Sequence, residues 1–211
     1  MPIILTVDQR RSRRRPDRVP EAIARLQGVS PRRRFERTAG DEFQGVLDDP
    51  TTVVDTVLRL VRDGWWSVGV GIGPVEEPLP SSTRAGRGPG FLLAREAVEA
   101  AKRRPQRLAV RSPVRALAHD AEAMLTLLAA IVQRRSGAGW QAVDLLAHGL
   151  TIAQAAERLG VTRQAIGQRL GAALWQQEQE ARPVAARLIT RALDGEGDLP
   201  DDAPPGPTVR G

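Results

Sequence analysis

The chain contains no cysteine and no tyrosine, only three phenylalanines, four tryptophans and two histidines, and one lysine, Lys102. Without cysteine, disulfide bridges and zinc–thiolate sites are excluded, and redox chemistry carries no information on compartment. Scarce aromatic rings argue against a mode of single-stranded nucleic-acid binding that stacks bases on side chains. His119 and His148 lie far apart with no metal-ligand spacing, which makes them helix-surface residues. Ser81, Ser82 and Thr83 have no histidine partner, and "GRGPG" at 86–90 lacks the lysine and hydroxyl of a phosphate loop. No apolar run reaches bilayer-spanning length. The opening "PIILTV" has arginines after it and no basic stretch before it, so it is a buried strand and not a signal peptide. These absences predict a cytoplasmic protein with no membrane partner.

What the chain has in quantity is arginine. There are 31 basic against 25 acidic residues, for a net charge of +6. Between residues 10 and 37, eleven arginines stand against Asp17, Glu21 and Glu36, whereas the charged residues from Asp194 to Asp202 are all acidic. The basic cluster suits polyanions such as nucleic acid or nucleotide phosphates, and it also serves solubility.

Two compositional regimes follow one another. "PIILTVD" is a strand ending at Asp8, "VPEAIARLQG" a short helix, and "RFERTAGDEFQGVL" two strands around a turn at Ala39–Asp41. Asp49 followed by Pro50 opens a helix with Val53, Val54, Val57, Leu58 and Val61 on one face. In "WWSVGVGIG", Trp66, Val68, Val70 and Ile72 alternate with Gly69, Gly71 and Gly73, so something approaches the glycine side closely. The order strand, helix, strand, strand, helix, strand predicts an α+β, ferredoxin-like βαββαβ domain. A further helix and a short strand close it near Ser112, at 1–112. From Pro113 the period is helical throughout. A helical domain at 113–193 presents Leu117, Ala121, Leu125, Leu128 and Val132 from its first long helix, and an acidic, disordered tail at 194–211 follows.

Within that helical part, "LTIAQAAERLGVTRQAIGQRL" predicts a helix-turn-helix over 151–171. Thr151 caps a helix with inner face Ile152, Ala155, Ala156 and Leu159; Gly160 takes the turn; Thr162 caps a second helix with Ile166 and Leu170 inside. Thr162, Arg163, Gln164, Gln168 and Arg169 then face solvent, with chemistry suited to phosphates and major-groove base edges. The segment resembles the helix-turn-helix of bacterial regulators and of the promoter-reading domain of sigma factors. The second helix is expected to run on to Ala181, with a last helix beginning at Pro183. Trp140 and Trp175 brace this region. A single short recognition helix reads few bases, so a homodimer on double-stranded DNA is expected.

The other motif is "TAGDEF". Asp8 ends the first strand, which a βαββαβ order sets beside the hairpin, so Asp8 and Asp41 can converge at one end of the sheet. Converging carboxylates repel unless protonated or given a cation, and Mg2+ with phosphate oxygens meets that need. "TAGDEF" is similar to the signature of diguanylate cyclases, and the layout resembles the class III nucleotide cyclase palm. "LTVDQRRSRR", "GDEFQGVL", "VGVGIGPV" and "GPGFLLAREAVEAAKR" together resemble the SatD family over about residues 3–112. The resemblance implies metal ligands at Asp8 and Asp41 and nucleotide contacts at Gly40, Glu42, Arg95 and Lys102. Ala39 departs from the cyclase signature, and no pair of residues is identifiable as a base reader. Catalytic residues are therefore not assigned. The expected function is a DNA-binding regulator whose palm domain is a nucleotide or metal sensor, or a scaffold. The alternative is a Mg2+-dependent nucleotide-binding or cyclase-like enzyme.

Overall fold

The computed structural model describes residues 1–12 and 15–195, so the expected acidic tail beyond Gly195 lies outside the described residues. Strand β1 (Ile3–Gln9) is followed by α1 (Val19–Arg25), β2 (Arg33–Ala39), β3 (Glu42–Leu47), α2 (Pro50–Asp63), β4 (Trp66–Ile72), α3 (Pro89–Ala101) and β5 (Leu108–Arg111). The five strands form one sheet in the order β2-β3-β1-β4-β5. β1 is central and antiparallel to β3 and β4, β2 is antiparallel to β3, and β5 runs parallel to β4. Helices α4 (Arg115–Arg134), α5 (Gly137–Ala147), α6 (Ile152–Leu159), α7 (Arg163–Ala172) and α8 (Trp175–Asp194) complete the chain. The architecture is a mixed α+β unit with a five-stranded sheet, followed by an all-helical region.

Alternation along the strands divides the sheet into two unlike faces. Ile3, Leu5, Val7, Phe43, Trp66, Val68, Val70 and Ile72 share an apolar cluster with residues of α1, α2, α4 and α8. Burying each aliphatic side chain there contributes about 1.5–3 kcal/mol. Asp49 starts α2 as expected: its carboxylate accepts from the Thr52 N–H at 2.8 Å, while Gly64 ends the helix at φ 70°. The opposite face carries Ile4, Thr6 and Asp8 of β1 with their cross-strand partners Val46, Gln44, Glu42, Gly71, Gly69 and Ser67. A Cβ placed on Gly69 would lie 2.2 Å from the Val98 N, and one on Gly71 2.3 Å from the Ala94 N. The absent side chains are thus what lets α3 lie directly on β4.

The helical region meets the sheet layer through α4 and α8. Leu117, Ala121, Leu125, Leu128 and Val132 of α4 are buried in the same cluster as β1, together with Ala185 and Ile189 of α8. α4 is long and apolar enough to cross a membrane by length and composition alone, and 44% of that window is buried inside the molecule. In contrast, α5, α6 and α7 build a separate small cluster from Ala142, Ala155, Ala156 and Ile166.

Three expectations for this region need correction. The helix from Thr162 does not run on to Ala181: α7 ends at Ala172, Leu174 turns left-handed at φ 51°, and α8 starts at Trp175. Pro183 does not begin a helix but lies inside α8, exposed, with Ala181 before it and Ala185 and Ile189 after it packed against the core. Tertiary packing on both sides of the proline outweighs its local cost of about 3 kcal/mol. Ile152 is 43% exposed and does not belong to the inner face of its helix.

The break before α8 has an identifiable cause. The Arg135 guanidinium, with no side-chain exposure, donates to the Ala173 carbonyl at 2.9 Å and to the Glu178 carboxylate. Its plane lies over Trp140 at 4.4 Å. Replacing it leaves a buried carboxylate with Arg182 as its remaining partner. We expect Arg135→Met to lower the unfolding free energy by about 3 kcal/mol, measured by urea denaturation.

Candidate functional site

Two regions concentrate functional chemistry. In the first, Thr151 and Gln154 form a reciprocal cap on α6: the Thr151 N–H donates to Gln154 Oε1 at 2.9 Å, and the Gln154 N–H to Thr151 Oγ1 at 3.3 Å. Gly160 is left-handed at φ 63°, which favours glycine, and Val161 folds back onto the small cluster. Thr162 Oγ1 accepts from the Ala165 N–H at 3.1 Å and starts α7. Ile166 is fully buried, so the opposite side of α7 must face outward. Thr162, Arg163, Gln164 and Gln168 are exposed and Arg169 is half-buried. Among the described residues neither arginine is held by a carboxylate. Four of the five expected side chains are therefore exposed at the start and outer face of one helix, and Arg169, three residues after Ile166, lies at its flank.

This helix trio is tied to α2 by Arg62. Its guanidinium donates to both Asp144 oxygens, at 2.6 and 2.7 Å, and lies 3.6 Å over the Trp140 ring.

The second region is an open cleft of about 970 Å³ at the end of β1. Asp8 and Asp41 both line it, and the Gln9 N–H donates to the Asp41 carbonyl at 3.1 Å, which fixes the hairpin tip beside β1. Lys102, just past the end of α3, reaches back over the sheet: its Nζ is 3.0 Å from Asp8 Oδ2 and 2.7 Å from Glu99. Of the residues expected to contact a nucleotide, Lys102 lines the cleft. Glu42 is directly opposite Asp8 in the ladder, but its carboxylate accepts from Thr38 Oγ1 at 2.6 Å. Gly40 is an exposed turn residue at φ 53°, and Arg95 is exposed on α3 without lining the cleft.

Electrostatics here are unbalanced. Burial at the sheet end pushes the Asp8 carboxyl above its ordinary value; Lys102 pulls it down, Asp41 and Glu42 push it further up, and the net direction is up. Lys102 is drawn down by burial, yet its bonds to Glu99 and Asp8 leave it above the ordinary lysine value. Arg10 is lowered, first by burial and then by repulsion from Arg107, Arg11 and Arg15.

Among the described residues, Asp8 and Asp41 are the carboxylates that line the cleft. One Asp8 oxygen is engaged by a lysine, and no group of three or more histidine and acidic side chains among the described residues is placed to hold a metal. Sequence reasoning missed Ser67 and Arg107, whereas Arg10, Arg11 and Arg15, which also line the cleft, belong to the basic cluster read as suited to phosphates. A signal for Ser67 was present, because alternation sets it on the glycine side of β4, in line with Gly69. No match was found among protein-family models, curated proteins or solved structures.

The Asp8 shift has a sign that can be measured. A carboxyl that holds its proton more tightly folded than unfolded favours folding most below the unfolded value of 3.8. That contribution is lost as pH rises through the raised folded value. Asp8→Asn should therefore raise the urea midpoint at pH 7, with the gain over wild type shrinking as pH is lowered towards 4.

Proposed function

We propose that this chain is a DNA-binding regulatory protein that reads duplex DNA with α7, its sheet half being a palm-like scaffold or sensor. The observation that carries the reading is the row Thr162, Arg163, Gln164 and Gln168, exposed on the outward side of a helix whose inner side is pinned by Ile166. Guanidinium and amide groups at a helix start can form paired hydrogen bonds with base edges, and hydroxyls and guanidinium groups can bind phosphates. The small size of Ala155 and Ala156, both buried, suits the close crossing that a helix-turn-helix needs. Two copies on paired half-sites would give the contact area that one short helix lacks.

The likeness of the first half to a cyclase palm and to the SatD family is part of this proposal. The order β2-β3-β1-β4, with antiparallel neighbours and α1 and α2 on one face, supports it. A Mg2+-dependent nucleotide enzyme is the second reading, favoured by Asp8 and Asp41 lining one cleft. That reading requires Asp8 to exchange Lys102 for a cation. It predicts product formation from a nucleoside triphosphate that Asp8→Asn abolishes; no product from any common triphosphate would end it.

For the leading reading, anisotropy of labelled duplex from the protein's own promoter, titrated across salt, gives the test. Arg163→Ala with Arg169→Ala should weaken binding by about tenfold or more. The double variant should also reduce the salt slope by about 1 for each phosphate contact removed. Unchanged affinity for both promoter and scrambled duplex would sink the assignment.

A further inference from the structure

The cleft beside β1 contains a hydroxyl without a partner among the described residues. Ser67 is 1% exposed, lines the cleft, and its Oγ has no hydrogen-bond partner there. A buried hydroxyl left unpaired costs free energy, and such orphans call for an explanation. Ser67 lies directly across the ladder from Asp8, on the sheet face that Lys102 reaches.

Around that hydroxyl the cations outnumber the anions. Arg10, Arg11, Arg15, Lys102 and Arg107 line the cleft against two carboxylates, Asp8 and Asp41. Some of these cations are fixed in place by the backbone: Arg10 Nη1 donates to the Gly64 carbonyl at 2.8 Å, and Arg107 Nη1 to the Lys102 carbonyl at 2.5 Å. Arg15 lies over the Trp65 ring at 4.5 Å. Guanidinium groups anchored in this way keep further N–H donors for an incoming group, in a fork that matches phosphate oxygens. Meanwhile Lys102 gives Asp8 the positive partner that a divalent cation would otherwise supply.

From this geometry we infer that the cleft binds a polyphosphate-bearing small molecule without a divalent metal, the arginines holding the phosphate chain and the Ser67 hydroxyl donating to one of its oxygens. Lys102 is internal to the site, neutralising Asp8 so that the carboxylate does not repel the ligand. The proposal stands on the cleft alone and not on DNA reading by α7, and its test contains no DNA.

The test is isothermal titration calorimetry of the full chain with inorganic triphosphate in EDTA, with ATP, GTP and sulfate in parallel. Saturable one-to-one binding of triphosphate without metal is expected. Ser67→Ala deletes a hydroxyl that has no partner among the described residues, so it should leave thermal stability unchanged or raised while weakening binding about tenfold. Arg11→Gln, at an exposed rim position, should weaken it several-fold and reduce its salt dependence. Nucleoside triphosphates that bind tighter than inorganic triphosphate would identify a nucleotide ligand, and equal binding an inorganic one; both support the site. Binding only when Mg2+ is added overturns the proposal, as does binding no stronger than sulfate. A Ser67→Ala variant that folds and binds as wild type overturns it too.

Discussion

One buried guanidinium, Arg135, decides how the helical region of this protein is built. It leaves the end of α4, takes the Ala173 carbonyl just beyond the end of α7, and pairs with Glu178 inside α8. Trp140 and Trp175 flank it, at 4.4 and 6.0 Å from their ring centres. Four helices therefore converge on a single side chain. A charge in such surroundings is costly unless it is hydrogen-bonded. The bonds of Nε and Nη2 to the Ala173 carbonyl require α7 to stop where it does, while Nη1 has no partner among the described residues. The left-handed Leu174 and the fresh start of α8 at Trp175 follow from that requirement. The outward direction of α7, and with it the placement of Arg163 and Gln164, is set by a contact far from either residue.

A comparable dependence operates in the sheet. β1 is paired on both sides, so Asp8 is held at the sheet end between Glu42 and Ser67 in a fixed register. α3 lies close enough to the sheet for Lys102 to reach Asp8 because Gly69 and Gly71 offer no Cβ. A methyl group at either glycine would collide with the backbone of α3 and lift the lysine away. The cleft's charge balance thus rests on two residues with no side chain, one layer beneath it. Lys102 supplies Asp8 with a positive partner from within the protein, its Nζ 3.0 Å from Oδ2.

Much of this was legible in the sequence because it rests on local rules. The alternation of Trp66, Val68, Val70 and Ile72 with glycines identified β4 and its closely packed face, and the caps at Asp49, Thr151 and Thr162 marked three helix starts. The meeting of Asp8 and Asp41 in one cleft followed from strand order. What could not be read depended on distant partners. No local pattern says that Arg135 meets Ala173, so the sequence predicts neither the break at Leu174 nor the passage of α8 through Pro183. Arg95 and Lys102 share a helical spacing, yet Arg95 is exposed away from the cleft while Lys102, past the end of α3, reaches its floor. Arg107 enters the cleft from the turn before β5, a placement set by tertiary packing.

Among the described residues, the cleft and α5 both make contact with the end of α2, and the contacts there differ in strength. Arg10, at the cleft, donates to the Gly64 carbonyl, and its own N–H donates to the Trp65 carbonyl, each at 2.8 Å. One turn earlier, Arg62 holds Asp144 and Trp140 of α5. Both partners of that ion pair are 39% exposed, where such pairs contribute about 0–1 kcal/mol. Arg135 and Glu178, by contrast, are buried. The α5–α7 trio is therefore held to the α4–α8 stem through a buried ion pair and to α2 by a half-exposed one. A lever needs a stiff attachment at both ends, and α2 has one at the cleft and a weak one at α5. The physical weight of the contacts favours a sheet half that supports the stem, with α7 following wherever α4 and α8 are placed.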